Sequence, residues 1–123
     1  MQREGRDAAS VWDMFHAVQG VVKAMEGVTP EHYAGEENLR LSIERRLEIL
    51  GEAARRVSPE FRNEHPEVPW RNVIGQRNIL IHEYDDIDLM WTWRFSIDDA
   101  PKLLKTLKKI VDELKATGEI PED

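Results

Sequence analysis

The 123-residue chain contains no cysteine, which excludes disulfide bonds and zinc sites built on thiolates. It also has no apolar run near the roughly 20 residues that a helix needs to cross a bilayer. The first residues, MQREGRDAAS, include no apolar segment of the kind that a signal peptide requires. We therefore expect a cytoplasmic protein that acts without a membrane.

Positive charge is in short supply, because 17 lysines and arginines stand against 24 acidic residues and give a net charge of −7. Phosphate contacts need a positive surface, so this total argues against nonspecific binding of nucleic acid. The local balance is different between positions 40 and 77, where eight arginines stand against six glutamates. Any contact with nucleic acid is therefore expected to be local.

Apolar residues recur at steps of three and four along most of the chain, which is the spacing of one helix face. No stretch shows the alternation expected of a strand. The predicted stripes are Ala8, Val11, Phe15, Val18, Val22 and Met25; Leu39, Ile43, Leu47, Leu50, Ala54 and Val57; and Ala100, Leu103 or Leu104, Leu107, Ile110 or Val111, and Leu114. The pattern predicts an all-α fold, a four- to five-helix up-and-down bundle formed by a single domain over residues 1–123.

Short sequence signals mark where helices begin. Thr29 and Ser58 each stand directly before a proline, which combines a capping hydroxyl with the residue best suited to the first helical position. Ser96 with Asp99 resembles a capping box and predicts that the last helix starts there. Another helix is predicted over about residues 70–85, after a loop that contains two prolines.

The helix predicted over residues 70–85 contains an arginine where its neighbours are apolar. On a helical wheel, Arg77 falls at the centre of an apolar face. The members of that face are Trp70, Val73, Ile74, Leu80, Ile81 and Tyr84. Because an unpaired guanidinium is costly to bury, Arg77 must reach an ionic partner, an opening or an interface.

A second stripe of the same helix is polar and carries Arg71, Gly75, Asn78 and His82. A glycine inside a helix costs roughly 1 kcal/mol relative to alanine, so the close approach of another backbone or a ligand would justify Gly75. Arg77 and His82 lie about 140° apart on the wheel. One site can therefore use both side chains only along the helix edge or across two subunits.

Each of these residues, taken alone, has an ordinary structural interpretation. Arg77 could form a buried ion pair, His82 could be a solvated histidine near a helix end, and Tyr84 could belong to the core. The carboxylates available to pair with the arginine are Glu44, Glu48 and Asp88. The acidic run after Tyr84 could bind a hard cation together with His82, but short acidic runs are usually solvated, so we expect neither metal nor cofactor.

Two longer segments resemble one known family. The segment RRLEILGEAARRVSP (45–59) is similar to the RxLEIIGEA helix of that family, and HPEVPWRNVIGQRNILIHEYDDID (65–88) is similar to its stretch HPxIPWxxIxGxRNxLIHxYxxxD. Arg77, His82 and Tyr84 match the Arg-x4-His-x-Tyr signature, and Asn78 follows the arginine in the usual form. Over nearly its whole length, the chain resembles the HepT toxins of the HEPN ribonuclease superfamily.

The resemblance implies an all-α homodimer in which Arg77 and His82 face a cleft between the subunits. It also implies metal-independent cleavage of RNA by the toxin of a type VII-like toxin–antitoxin system. Imidazole suits proton transfer near neutral pH, so His82 is expected to act as general acid and base. Arg77 would bind the phosphate and stabilise the developing charge, with Asn78 as an orienting or phosphate-contacting residue.

The same resemblance gives Tyr84 a regulatory role. In this family, an MntA-type nucleotidyltransferase antitoxin transfers AMP to the tyrosine of the signature, which adds negative charge and bulk to the cleft. An alternative stays open, in which the chain is a non-catalytic helical module that docks a nucleotidyltransferase or presents a nucleotide to it. The net acidity slightly favours that alternative, whereas the intact pair of Arg77 and His82 favours the enzyme.

Overall fold

The computed structural model describes residues 3–75 and 89–121 of the chain. The long helices are α1 (Arg3–Ala24), α3 (Glu37–Arg56) and α7 (Ala100–Ala116). The other α-helical segments are α2 (Pro30–Gly35), α4 (Pro59–Glu64), α5 (residues 70–75) and α6 (Leu89–Arg94). A π-helical turn over Phe95–Asp99 joins α6 to α7. These two stretches contain no β-strand, which confirms the predicted all-α fold.

The core forms where α1 packs against both α3 and α7. Because α1 is covered from two directions, its buried face is wider than the single predicted stripe. Val11 and Val18 are buried as predicted, and Met14 and Val21 are buried as well. Val22, which the predicted stripe contained in place of Val21, is only partly buried.

The faces that α3 and α7 turn towards the core follow the predicted spacing. The buried members of the predicted stripes are Ile43, Leu47, Leu50, Ala54 and Val57, and Ala100, Leu103, Leu107, Ile110, Val111 and Leu114. Leu39 and Leu104 are partly buried and pack against the core cluster. The alternatives left open in α7 are therefore settled as Leu103 over Leu104, with Ile110 and Val111 both inside.

Two of the predicted helix starts are confirmed by their capping hydrogen bonds. The Thr29 hydroxyl accepts a hydrogen bond from the backbone N–H of His32 at 3.0 Å, and a proline follows at the first helical position. The Ser58 hydroxyl accepts one from the backbone N–H of Phe61 at 3.2 Å, again before a proline. Each cap satisfies a donor that the first turn of a helix leaves without an intrahelical partner.

The start of α4 is also tied to the start of α1. The buried Asp7 carboxylate accepts hydrogen bonds from the backbone N–H of Ser58 at 2.9 Å and from its hydroxyl at 2.7 Å. The two residues are 51 positions apart in the sequence. Hydrogen bonds to a charged acceptor are stronger than those between neutral groups, so this contact fixes how the two helix starts meet.

The capping box predicted at Ser96 and Asp99 is wrong. Both residues lie within the π-helical turn that continues α6 into α7, so the chain does not begin a new helix there. Ser96 is 1% exposed, and no described residue forms a hydrogen bond with its hydroxyl. Asp99 has helical dihedral angles and makes no capping hydrogen bond. A capping residue needs an extended backbone, and burial of Ser96 in the helical path excludes that conformation.

Helix α7 ends at Ala116, and the chain reverses at Gly118. Gly118 has a φ of +83°, a left-handed conformation that glycine adopts without steric cost. The reversal lets the backbone N–H groups of Glu119 and Ile120 donate to the carbonyl of Leu114 at 2.9 and 3.1 Å. Ile120 is buried against the core as a result.

Candidate active site

The four predicted site residues, Arg77, Asn78, His82 and Tyr84, lie at positions 76–88 and therefore outside the residues that the structure describes. Their assigned roles stay predictions. The structure does describe the chain on both sides of this stretch, where α5 leads into it and α6 leads out of it. The contacts of these two helices show how the chain is held directly before and directly after the signature.

The entry helix α5 is fixed to the core by its first turn. The indole N–H of Trp70 donates to the backbone carbonyl of His65 at 2.9 Å, and Trp70 and Val73 are buried. The backbone N–H of Val73 donates to the carbonyl of Pro69 at 3.0 Å. Ile74 is partly buried against the same cluster. Within the described residues, the apolar face predicted for this helix is therefore the face that packs on the core.

The exit helix α6 is held by a buried hydrogen-bond chain. The hydroxyl of Tyr33 in α2 donates to the hydroxyl of Thr92 at 2.8 Å, and that hydroxyl donates to the carbonyl of Leu89 at 3.0 Å. Tyr33 is 1% exposed, and its ring centroid lies 5.9 Å from that of Trp93. Burial raises the pKa of Tyr33, mainly by desolvation, which keeps its hydroxyl protonated as a donor. The chain thus returns from the signature at a fixed point.

Two open cavities include residues of α5. One, of about 650 Å³, is lined by Arg71 and Gly75, which belong to the predicted polar stripe. The other, of about 640 Å³, is lined by Asn72 together with Trp91 and Lys102. A Cβ atom added to Gly75 would meet no described atom within 4 Å, so the backbone of α5 is open to the first cavity. Space for a ligand therefore exists directly before the signature.

Glu44 and Glu48 were the glutamates considered as ionic partners of Arg77. Glu48 accepts a hydrogen bond from Arg45 at 3.1 Å, in an exposed pair. Glu44 is 9% exposed, and burial raises its pKa, although the nearby positive charge of Arg40 lowers it in part. Arg40 in turn donates to the backbone carbonyls of Tyr33 and Ala34 at the end of α2. Glu44 therefore carries a desolvation cost when it is ionised.

We predict that Glu44→Gln stabilises the protein at neutral pH. Because the folded-state pKa of Glu44 is raised, its protonated form favours folding below the unfolded-state pKa, and that advantage is lost as the pH rises through the folded-state pKa. An amide removes the cost of the buried charge. Urea unfolding should show a larger free energy of unfolding for the variant at pH 7 and a smaller difference at pH 4. Glu26→Gln, at an exposed glutamate after α1, serves as the control, and an equal gain there would contradict this account.

The described residues contain no group of three His, Cys, Asp or Glu side chains arranged to hold a metal ion. The acidic run and His82, considered above as a cation site, lie outside these residues.

Among the described helices, none is long and apolar enough to cross a membrane.

Comparison with known proteins identifies the family. The family model described as "Ribonuclease HepT-like" matches residues 14–110. This range includes α3, parts of α1 and α7, the described residues that line both cavities of α5, and the whole predicted signature. The chain belongs to the HepT-like ribonuclease family. This membership confirms the resemblance drawn from the sequence and makes RNA the substrate class of this HepT-like chain.

Several relatives of this HepT-like chain are named as ribonucleases. A protein of Methanocaldococcus jannaschii named "Putative RNase MJ1380" is 33% identical over 100 residues, which cover 81% of this chain and 92% of the relative. A Caldanaerobacter subterraneus protein named "Putative RNase TTE0752" is 33% identical over 77% of this chain and 85% of its own length. The "Probable ribonuclease HepT" of Thermococcus cleftensis is 28% identical, over 89% and 98% of the two chains. No solved structure shows a significant match.

Proposed function

We propose that this HepT-like protein is a toxin that cleaves RNA internally without a metal, with His82 and Arg77 acting on one phosphodiester at a cleft between two subunits. The observation that carries the proposal is the family match over residues 14–110, which includes the segment RNILIHEY. The anchored helices on both sides of that segment support it, because a catalytic group needs a fixed position.

The reaction we propose is an attack of the ribose 2′-hydroxyl on the adjacent phosphorus. His82 accepts the 2′-hydroxyl proton, the bond between O2′ and phosphorus forms, and the bond between phosphorus and O5′ breaks. The protonated imidazole then delivers a proton to O5′, which leaves a 2′,3′-cyclic phosphate and a 5′-hydroxyl. An imidazole suits both transfers because its unperturbed pKa of about 6.5 lies near the working pH.

Arg77 supplies the charge that this step requires. Negative charge builds up on the non-bridging phosphate oxygens, and a guanidinium offers them a planar fork of donors. Asn78, the next residue, is proposed to orient the phosphate or the attacking hydroxyl. This role also accounts for an arginine at the centre of an apolar helix face, since the substrate phosphate is the anion that it pairs with.

The homodimer is the part of the proposal that brings Arg77 and His82 to one site. On a single helix the two residues lie about 140° apart, so two copies of the helix offer a simple way to combine them. Exposed apolar side chains at the start of α6 support an interface beside the signature, because Leu89 is 38% and Met90 46% exposed.

Tyr84 is proposed to be the point of control. Its hydroxyl oxygen would attack the α-phosphorus of ATP on an MntA-type nucleotidyltransferase antitoxin, with release of pyrophosphate and formation of O-AMP-tyrosine. The added phosphodiester carries negative charge and the adenosine adds bulk, so the modified subunit would repel and block an RNA phosphate. The chain is then silenced by its partner through the same segment that cleaves RNA.

A non-catalytic docking module is the weaker function. Its support was the net charge of −7, but family membership places the chain among ribonucleases. A negative net charge is also compatible with a local positive surface, because the cavity beside α5 contains Arg62 and Arg71. The enzyme is therefore the function that the family and this cavity support best.

Incubation of purified wild-type protein with a labelled single-stranded RNA tests the proposal. We expect internal cleavage at an unchanged rate in excess EDTA, and fragments that end in a 2′,3′-cyclic phosphate. Sedimentation of the same sample should give the mass of a dimer. Cleavage that stops in EDTA and returns with added divalent cation would contradict the metal-independent mechanism, and intact RNA in every buffer would contradict the enzyme.

A further inference from the structure

The cavity of about 650 Å³ beside α5 has two arginines among its described lining residues. We name it the arginine cleft. It is formed by the end of α4, the loop after it and the outer side of α5. Its lining includes Arg62, Asn63, Trp70, Arg71, Ile74 and Gly75. None of its described lining residues is acidic.

Other cavities in the described part of the chain are lined by carboxylates. The cavity of about 640 Å³ between α5, α6 and α7 contains Glu67 and Asp99 against one basic residue, Lys102. In a cavity of about 260 Å³ between α1 and α3, three carboxylates outnumber two arginines; the charged residues are Asp13, Glu48, Glu52, Arg45 and Arg56. In a protein with a net charge of −7, a cleft with two arginines and no described carboxylate is a local positive site. Such a site attracts a polyanion more strongly than cavities in which carboxylates outnumber the basic residues.

The two arginines of the cleft have different contacts. The guanidinium of Arg62 is fixed at the end of α3, where it donates to the carbonyls of Val57 at 3.1 Å and Arg55 at 2.9 Å. Arg71 is exposed, and no described residue forms an ion pair or a hydrogen bond with it. Arg62 therefore contributes a fixed positive charge, while Arg71 keeps its donors available for a ligand.

The arginine cleft lies directly before the signature in the sequence, where a bound RNA strand would be close. Arg71 and Gly75 are four residues apart and lie on one side of α5, and Gly75 precedes Arg77 by two positions. A Cβ atom at Gly75 would meet no described atom within 4 Å, so a ligand can approach the backbone closely. A single strand of RNA carries a phosphate at every nucleotide. An RNA strand bound at the signature therefore has phosphates on both sides of the scissile bond, and one of these can bind in the cleft.

We infer that the arginine cleft binds the phosphate backbone of the RNA strand next to the scissile bond, with Arg71 as the residue that contacts a phosphate. This inference rests on the proposed function, since it concerns the same substrate. It assigns to Arg71 a binding role in addition to the signature residues. Because phosphate contacts carry no base information, the cleft adds affinity and not sequence preference.

The test compares Arg71→Gln with Arg45→Gln, which removes the same charge from the carboxylate-lined cavity between α1 and α3. The probe is a fluorescent single-stranded RNA with a 2′-O-methyl group on every ribose, which binds but cannot be cleaved. Fluorescence anisotropy over a range of salt concentrations gives Kd and its salt dependence. Circular dichroism checks that each variant keeps the helix content of the wild type.

We expect Arg71→Gln to weaken binding by about tenfold, the effect of losing one charge-assisted hydrogen bond. The association constant falls as salt is added, and the slope of its logarithm against the logarithm of the salt concentration should be less steep by about 0.7. That is the value for one phosphate contact on a single strand. Arg45→Gln should change neither quantity. Equal affinity and slope for Arg71→Gln and wild type would overturn the inference. Cleavage of unmodified RNA by the wild type is measured separately, so a failure of the proposed function is recognised independently.

Discussion

Replacing His82 with alanine is expected to slow RNA cleavage by roughly two to four orders of magnitude, the usual loss when a general acid–base is removed. The 2′-hydroxyl is a poor nucleophile until its proton is accepted, and O5′ is a poor leaving group until it receives a proton. An alanine can do neither. The measurement is the initial rate of cleavage of a labelled single-stranded RNA by the purified proteins.

Arg77→Ala belongs in the same experiment because it removes the charge that stabilises the transition state. We expect a loss of about 10²- to 10³-fold, as for other donors that act on a developing oxyanion. Because Arg77 and His82 are proposed to act on one phosphodiester, the double variant should be little slower than the slower single variant. Losses that multiply fully would mean that the two side chains act independently.

His32→Ala is the matched control for His82→Ala. His32 is an exposed histidine in α2, and it is its backbone N–H, not its ring, that serves in the helix cap. The control should cleave RNA at the wild-type rate, and circular dichroism should show that all variants are folded. If His82→Ala cleaves as fast as His32→Ala, the imidazole has no part in the chemistry and the mechanism must be abandoned.

Helix starts that depend on a few consecutive residues could be predicted from the sequence. Thr29 and Ser58 cap as expected because a hydroxyl, a proline and the first turn are all local. Ser96 shows a different local signal, a capping box with Asp99, yet it lies inside a continuous helical path and is buried. There the packing of the π-helical turn decides the conformation, and a capping motif carries no information about packing.

Polar contacts between distant parts of the chain could not be predicted. Asp7 and Ser58 are 51 residues apart, and Tyr33 and Thr92 are 59 residues apart. Neither pair shares a motif or a periodicity, because each depends on how whole helices meet. Helical spacing predicted the burial of Trp70, but its hydrogen bond to a loop carbonyl depends on the path of that loop.

The candidate site also has features that the sequence predicts and features that depend on how helices meet. The signature identifies which side chains carry the chemistry, because each role requires a particular functional group at a particular spacing. A helical wheel alone left Arg77 and His82 on different faces, and a single chain gives no reason to combine them. Arg71 had a place in the polar stripe, but its cleft could be recognised only after α4 and α5 were placed side by side. The spacing of residues identifies one face of one helix, whereas a cleft is formed by two helices.

Tyr84→Phe is expected to abolish AMP transfer to this protein and to leave it toxic in the presence of the antitoxin. Phenylalanine keeps the ring but lacks the oxygen that would attack the α-phosphorus of ATP. Purified toxin and an MntA-type nucleotidyltransferase are incubated with ATP labelled at the α-phosphate, and label on the toxin is measured after denaturing electrophoresis. Wild-type toxin should become labelled and lose RNA cleavage in proportion, whereas Tyr84→Phe should remain unlabelled and active.

The sequence provides a matched control, because the chain contains two tyrosines. Tyr33 is 1% exposed, and its hydroxyl is engaged with Thr92, so a transferase cannot reach it in the folded protein. Tyr33→Phe should therefore be labelled like the wild type. Its free energy of unfolding should be lower by about 1 kcal/mol, because one buried hydrogen bond is lost. Label that persists in Tyr84→Phe and disappears in Tyr33→Phe, or that persists in both, would show that the transferase modifies another group. The signature tyrosine would then have no regulatory role in this chain.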